Sequence, residues 1–312
     1  MEKLTDIPEV IVFNDKYNNL LNKLKEEGAY FFIGAGFSRL YGYPSWRVLV
    51  DKIVDYFWNH KDQIKEEDQN KLTLSSIENF KNSSKYAYIL DYLSSINTEL
   101  FEEAIKVHLS INTEPEYKKR IGFITKLHSH TIGNIPKFKL LTTNLDTSIE
   151  DICKLESSKI EYKPEYFKVN PATRLYYLHG NIEKESKYWI VRQRDYLEKY
   201  LDPESPINIF LREIFQSKTV VFVGYGLEEY QILDSIARLG KSSKIHYAFK
   251  PVYEGNIHII EYEEKILSDY YNIRFLKYKI EEKGWNVLID NFKSLVDQCT
   301  QMPPIEEGSN DK

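Results

Sequence analysis

FFIGAGFSRLYGYPSW, residues 31–46, changes within a few positions from bulky apolar residues to a glycine-rich turn. The apolar run predicts a buried strand over 29–34, and the apolar residues from Trp46 to Trp58 recur at helical spacing. A glycine turn between a strand and a helix lets a phosphate approach backbone N–H groups at a helix N-terminus. The turn therefore predicts a pyrophosphate site. A dehydrogenase fingerprint is disfavoured because Arg39 stands where a third glycine is needed.

Strand-like and helix-like segments alternate through the rest of the chain. This alternation predicts a Rossmann-like α/β fold with a largely parallel sheet and helices on both faces. The predicted strands cover 138–142, 174–178, 188–191, 219–223, 245–249 and 273–276, and the clearest helical patterns cover 228–239, 257–268 and 285–298.

The segment 60–135 differs from its surroundings because it is charged at first, then amphipathic, and contains no strong strand pattern. We expect it to form a helical insertion subdomain. Residues 1–59 and 136–302 would then make the Rossmann-like domain, and the polar stretch 303–312 would be a disordered tail.

Composition narrows the functional classes. The 312 residues carry a formal net charge of −5, which argues against direct nucleic-acid binding. Two cysteines cannot build a four-cysteine zinc site, so no metal is expected, and they fit a reducing cytoplasm. The N-terminus lacks the pattern of a signal peptide, and no run approaches the roughly 18 apolar residues of a membrane span. These features predict a cytoplasmic protein without a membrane partner.

Polar residues follow the second predicted strand, where open α/β sheets bind ligands. Thr143, Asn144 and Asp146 lie just past it. The Asn144 amide could orient a water molecule or a ribose hydroxyl. Asp146 could hydrogen-bond a ligand or cap the helix that follows it.

Two further strand ends carry candidate residues. His179 and Gly180 follow one strand, and the histidine could act as a general base, bind a ribose hydroxyl or serve a structural role. Gly224, Tyr225 and Gly226 form a second glycine turn, which suits another stretch of a long ligand.

The ordered set of motifs resembles the sirtuin family, and most closely the sirtuin-like NAD-cleaving effectors of bacterial anti-phage systems. The residues that carry this resemblance span positions 29 to about 250. They are Gly34-Ala35-Gly36-x-Ser38, Gly42-x-Pro44-x-Trp46, Thr143-Asn144-x-Asp146, His179-Gly180 and Gly224-Tyr225-Gly226.

The resemblance implies NAD as a substrate and a role for each motif. The first motif would hold the pyrophosphate, Pro44 and Trp46 would cover the nicotinamide half, and the last motif would line the adenosine side. Thr143 would help to bind NAD, and Asn144 would position the nicotinamide ribose or the attacking water, with Asp146 supporting the site. His179 would be the general base or a ribose-binding group.

The family pattern is not complete, because deacylating sirtuins carry a zinc module that two cysteines cannot build. The resemblance therefore implies an NAD glycohydrolase, a toxic effector that depletes NAD during infection. Control would come from homo-oligomerisation or from a separately encoded ATPase, nucleotide-processing enzyme or Argonaute-like protein. The alternatives are a protein ADP-ribosyltransferase or deacylase, and a nucleotide-binding sensor without catalysis.

Overall fold

The computed structural model describes residues 4–13, 17–69, 74–83, 85–111, 138–227, 230–237, 242–281 and 284–300. Seven strands in these ranges form one sheet, in which every pairing is parallel, in the order β3-β4-β2-β1-β5-β6-β7. This confirms the predicted Rossmann-like α/β fold. The strands are β1 (Ala29–Ile33), β2 (Phe138–Thr142), β3 (Ile160–Glu161), β4 (Leu175–Tyr177), β5 (Val220–Val223), β6 (His246–Val252) and β7 (Ile273–Lys279).

The connectivity reverses at β1. From β1 the chain forms β2, then the edge strand β3, and then β4 between those two. It next crosses to the other side of β1 and forms β5, β6 and β7 in order. The helical residues Val50 and Ile232, which follow β1 and β5 in the chain, belong to different buried clusters and so lie on opposite faces of the sheet. The crevice at such a switch point is where open α/β sheets bind ligands.

Both faces of the sheet are covered by helices. Phe31 and Ile33 of β1 belong to one buried cluster, while Tyr30 and Phe32 belong to the other, as the alternation of side chains along a strand requires. The helices are α1 (Asn18–Glu27), α2 (Ala35–Ser38), α3 (Trp46–Asn59), α4 (Glu66–Gln69), α5 (Leu74–Asn82), α6 (Tyr86–Ile96), α7 (Thr98–Leu109), α8 (Ser148–Cys153), α9 (Gln193–Tyr200), α10 (Pro206–Ser217), α11 (Tyr230–Ala237), α12 (Ile257–Tyr271) and α13 (Val287–Thr300).

Helices α4 to α7 occupy the described part of the predicted helical insertion. α6 and α7 pack on each other and on α3. Their buried residues, including Ile89 and Phe101, join the same apolar cluster as Phe31 of the sheet. Most of the predicted second half of the insertion, residues 112–135, and the predicted tail lie outside the described residues. The division into a Rossmann-like domain and an inserted subdomain stays a prediction.

The strand predicted over 188–191 is wrong. Trp189, Ile190 and Val191 are buried, as the apolar run requires, but they pair with no strand of the sheet. The Ile190 N–H donates to the His179 carbonyl (3.0 Å), and the Val191 N–H donates to the carboxylate of Asp195 (3.2 Å). The Asp195 carboxylate thus accepts the hydrogen bond of the Val191 N–H, which in a strand would bond a neighbouring strand.

No helix in the described ranges combines the length and the apolar character that crossing a bilayer requires.

Candidate active site

A cavity of about 790 Å³ opens at the carboxyl ends of β1, β2, β4 and β5. Its volume falls in the range of about 300–1,000 Å³ that is typical of small-molecule sites. The lining comes from the loops that leave these four strands, from the starts of α3 and α6, and from the segment that leads into α9.

Two glycine loops form one part of the lining. One loop follows β1 and the other follows β5, nearly two hundred residues later in the chain. The Gly34 N–H donates to the Val223 carbonyl (3.0 Å), and the Gly36 N–H donates to the Gly224 carbonyl (2.8 Å). The Phe37 N–H donates to the Gly34 carbonyl (3.0 Å). These three N–H groups therefore bind backbone within the protein, and the loop after β1 is bonded directly to the loop after β5.

The close approach explains why glycine occupies these positions. A Cβ atom on Gly34 would lie 2.6 Å from the Cα of Tyr225, and one on Gly36 would lie 2.7 Å from the Gly224 carbonyl oxygen. Gly224 has a φ of +63°, and its added Cβ would lie 2.4 Å from the Phe37 nitrogen. The backbone that approaches Gly34 and Gly36 is thus that of the second glycine loop. A role of the first loop in holding a pyrophosphate remains a prediction.

Asn144 reaches the cavity from the loop after β2, and its side chain is held by Ser38. The Asn144 Nδ2 donates to the Ser38 Oγ over 2.8 Å, and the Asn144 main-chain N–H donates to the Thr142 hydroxyl (3.0 Å). The Thr142 hydroxyl in turn donates to the Ile33 carbonyl (2.8 Å). Side-chain bonds therefore fix both the backbone and the amide of Asn144 against the end of β1.

Asp146 is buried beneath the cavity edge and takes part in the turn into α8. Its Oδ1 accepts hydrogen bonds from the N–H (3.0 Å) and from the hydroxyl of Ser148. Burial raises the pKa of the Asp146 carboxyl, while the bonds from Ser148 and Ser38 oppose that rise. Asp146 thus bonds the N–H of Ser148, the first residue of α8, although the N-cap position itself is Thr147, and Asp146 also lines the cavity.

His179 lines the cavity and is 3% exposed. Its Nε2 lies 2.9 Å from the hydroxyl of Tyr200, and its ring makes an edge-to-face contact with Tyr196 at 5.3 Å. Burial lowers the pKa of His179 to about 3, so its imidazole is neutral near pH 7. A neutral ring with so low a pKa suits hydrogen bonding to a hydroxyl better than uptake of a proton.

The segment behind His179 is tied to the helices that cover the cavity. Arg192 donates to both carboxylate oxygens of Asp195 and, over 3.2 Å, to the hydroxyl of Ser94 on α6. Arg194 forms an ion pair with Asp91, also on α6. Because α9 carries Tyr196 and Tyr200, these bonds connect the surroundings of His179 to α6.

The structure brings nearly all of the predicted site residues to this one cavity. The residues that line it are Ala35, Gly36, Ser38, Pro44, Trp46, Thr143, Asn144, Asp146, His179, Gly224, Tyr225 and Gly226. Gly34 does not line the cavity and lies at the contact between the two loops. The roles assigned to these residues stay predictions.

The sequence-based prediction missed one group of lining residues. Arg47 comes from α3, Lys85 caps α6, Tyr86 and Tyr88 come from α6, and Gln193 and Tyr196 come from α9. The motif VRQRDY at 191–196, which resembles the same family branch, was a signal for Gln193 and Tyr196. The residues of α3 and α6 lie on the solvent-facing side of amphipathic helices, where no pattern distinguishes them from ordinary surface residues.

Within the described residues, no group of three or more histidine, cysteine, aspartate or glutamate side chains is gathered so that it could hold a metal ion. Cys153 is half-buried, Cys299 is buried, and the two are not joined by a disulfide bond.

Comparisons with known proteins agree with a parallel α/β sheet that carries polar residues at its switch point. Residues 139–276 match the model of the SIR2-like domain family. This match confirms the resemblance to the sirtuin family over that part of the chain. The matched range begins after the first glycine motif, which the structure places directly against it.

Two curated relatives share low identity with this chain. Over 225 residues it is 26% identical to defense-associated sirtuin 2 of Bacillus subtilis. This match covers 68% of this chain and 20% of that protein. Over 256 residues it is 22% identical to the NAD(+) hydrolase ThsA of Cytobacillus dafuensis. This match covers 78% of this chain and 46% of that protein. The matched part of this chain thus spans about a fifth and just under half of these relatives.

Proposed function

We propose that this chain binds NAD in the cavity and hydrolyses the bond between nicotinamide and ribose. The observation that carries the proposal is the convergence of Asn144, His179 and two glycine loops on one cavity of about 790 Å³. The similarity to a protein named NAD(+) hydrolase supports it.

In this reaction the bond between C1′ and the nicotinamide nitrogen breaks, and both electrons leave with nicotinamide. The ribose then carries oxocarbenium character at C1′, and a water oxygen bonds to that carbon. Loss of one proton from this water completes the products, which are nicotinamide, ADP-ribose and a proton. Preorganised polar groups around the developing cation lower the barrier more than a strong nucleophile would.

Asn144 and His179 supply such groups. The Asn144 amide is fixed by Ser38, so it can orient a water molecule or a ribose hydroxyl without reorganising. The neutral His179 ring, held by Tyr200, offers a nitrogen to a ribose hydroxyl. Its low pKa favours this hydrogen-bonding role among the alternatives.

The direct test follows nicotinamide release from NAD by the purified chain, with and without its genetic neighbours. Asn144→Ala and His179→Ala should abolish turnover while the fold survives. Ser235→Ala is the control, because it removes a buried hydroxyl that donates to Asn208, and neither residue lines the cavity. This variant should retain full turnover. Absence of turnover in every assembly would refute the proposal.

The same reaction mixtures separate the alternatives. Mass spectrometry that finds ADP-ribose attached to a protein would identify a transferase. Calorimetry that finds tight NAD binding without any turnover would identify a nucleotide sensor.

We further propose a role in anti-phage defence, in which NAD depletion is restrained until infection. The similarity to a protein named defense-associated sirtuin 2 supports this role. Bacterial cultures that express the chain should lose NAD on phage challenge, and His179→Ala should prevent that loss.

Control of this activity by self-assembly or by a separately encoded partner belongs to the same proposal. Helix α12 exposes a stripe at helical spacing, formed by Ile259, Tyr262, Ile266 and Tyr270. Lys265 and Asp269 lie exposed beside the stripe, so an antiparallel pairing of two copies that is centred between these positions brings the Lys265 of each copy to the Asp269 of the other. This complementarity favours a second copy as the occupant.

Light scattering tests the pairing. Ile266→Asp should reduce the size of the assembly, whereas Val107→Asp, at an exposed apolar position on α7, should leave it unchanged. A wild-type chain that is monomeric at all concentrations would leave the separately encoded partner as the means of control.

A further inference from the structure

Four polar side chains form a continuous hydrogen-bonded series beneath the cavity. The Asn144 Nδ2 lies 2.8 Å from the Ser38 Oγ, which lies 3.1 Å from the Ser148 Oγ. The Ser148 hydroxyl and N–H both donate to the Asp146 Oδ1. Ser148 is fully buried and does not line the cavity, so it has no contact with a ligand there.

The carboxylate sets the direction in which each hydrogen points. Because the Asp146 Oδ1 accepts two bonds from Ser148, the single hydroxyl hydrogen of Ser148 is committed to Asp146. The Ser148 oxygen can then only accept from Ser38. This direction does not depend on whether the other carboxyl oxygen carries a proton, since Oδ1 is an acceptor in both states.

The direction passes from Ser38 to Asn144. The single hydrogen of the Ser38 hydroxyl points toward Ser148 and Asp146, so the Ser38 oxygen must accept from Asn144. The Asn144 amide therefore places its nitrogen on Ser38. The atom left for the cavity is the Oδ1, which is a hydrogen-bond acceptor.

An acceptor at this position has a specific chemical use. A water molecule that attacks C1′ and a ribose hydroxyl both donate hydrogens, and the amide oxygen can receive either one. An amide in the flipped orientation would present two N–H groups, which cannot accept the hydrogen of a nucleophilic water.

We propose that Ser148 is a positioning residue, which together with Ser38 and Asp146 holds the Asn144 amide with its oxygen toward the substrate. This inference rests on the proposed function for its substrate. It adds a residue that belongs to none of the motifs and that acts only through its neighbours.

Kinetics of Ser148→Ala, with Ser235→Ala as the matched control, tests the proposal. Both variants remove one buried serine hydroxyl, and Ser235 donates to an asparagine oxygen (2.6 Å) away from the cavity lining. We expect Ser148→Ala to lower kcat for NAD at least tenfold, with similar losses of thermal stability in the two variants. Unchanged kcat in Ser148→Ala would overturn the proposal.

A binding cycle makes the test independent of turnover. Calorimetry measures the affinity for ADP-ribose in wild type, Ser148→Ala, Asn144→Ala and the double variant. If Ser148 acts through Asn144, its loss weakens binding severalfold in wild type but not in the Asn144→Ala background. An equal effect of Ser148→Ala in both backgrounds would overturn the proposal, as would a wild-type chain that does not bind ADP-ribose.

The two assays separate the failure of this inference from that of the proposed function. A wild-type chain that binds ADP-ribose and shows the expected cycle without hydrolysing NAD would refute hydrolysis and support the positioning role. If the wild-type chain hydrolyses NAD and Ser148→Ala has no effect, hydrolysis is supported and the positioning role of Ser148 is refuted.

Discussion

The imidazole Nε2 of His179 lies 2.9 Å from the phenolic oxygen of Tyr200, and both side chains are buried. Tyr200 therefore fixes the orientation of a ring that would otherwise be held by packing alone. Tyr200→Phe should lower kcat for NAD roughly fivefold, which corresponds to the loss of one hydrogen bond of about 1 kcal/mol. Nicotinamide release gives the measurement.

The control for this substitution is Tyr176→Phe. The Tyr176 hydroxyl donates to the Lys168 carbonyl (3.0 Å) and does not line the cavity, so its removal should leave kcat unchanged. Equal kcat values for Tyr200→Phe and wild type would show that packing alone orients His179.

Burial of His179 makes the stability of the fold depend on pH. The pKa of His179 is lowered to about 3 in the native state, whereas in the unfolded chain it is near 6.5. Below pH 6.5 the unfolded state therefore binds a proton that the native state does not. The free energy of unfolding should fall as the pH falls from 6.5 toward 3, and this contribution amounts to about 2 kcal/mol between pH 7 and pH 5.

Urea denaturation at pH 7 and pH 5 measures this effect. The pH-dependent loss should be smaller in His179→Gln than in wild type by that amount. His246, whose pKa burial lowers to about 4, titrates in the same range and should account for part of the slope that remains. Identical slopes in the variant and wild type would contradict the assignment to His179.

The contact between the two glycine loops predicts unequal costs for two glycine substitutions. Gly224→Ala should destabilise the fold by more than about 3 kcal/mol, because it adds a clash with Phe37 to the cost of a left-handed backbone. Gly255→Ala has the same backbone cost, since its φ is +94°, but nothing lies within 4 Å of the added carbon. It should cost roughly 1–2 kcal/mol.

Chemical denaturation at neutral pH compares the two substitutions. If Gly224→Ala costs no more than Gly255→Ala, the two loops can separate more easily than their contacts indicate.

Arg47 and Lys85 are the cationic side chains that line the cavity among the residues described, and both are exposed. Their charges should attract the negatively charged pyrophosphate of NAD. Arg47→Gln or Lys85→Gln should raise the KM for NAD roughly three- to tenfold with little change in kcat, most strongly at low salt.

Lys81→Gln is the matched control, because Lys81 pairs with Asp51 (2.5 Å) and does not line the cavity. A KM that is unchanged in both cavity variants would show that NAD binding does not depend on these charges.

The sequence indicated the sheet well because its strands are buried on both faces. Strands of parallel sheets read as nearly continuous apolar runs, and the prediction over 219–223 contains β5, whose four residues are all apolar and buried. The same rule failed at residues 188–191. That run is apolar because it packs behind His179, and the rule cannot distinguish this burial from burial in a strand.

The sequence motifs allowed us to predict which residues lie at the candidate site, but not the hydrogen bonds that orient them. Strand-end positions and motif order placed Asn144 and His179 at the same edge of the sheet. The bonds that orient them were not predictable, because Ser38 and Asn144 lie 106 positions apart and meet only through the register of β1 and β2. The residues of α3 and α6 in the lining depend on helix packing, which leaves no local pattern in the sequence.

The bonded glycine loops limit how this protein can evolve or be redesigned. Gly34 and Gly36 have no room for a side chain as long as the backbone at Gly224 stays where it is, and the reverse holds for Gly224. The two loops must therefore be inherited, mutated or transplanted as a pair. A larger residue introduced in one loop requires a compensating shift in a segment nearly two hundred positions away, so single substitutions at these glycines should be unusually hard to rescue.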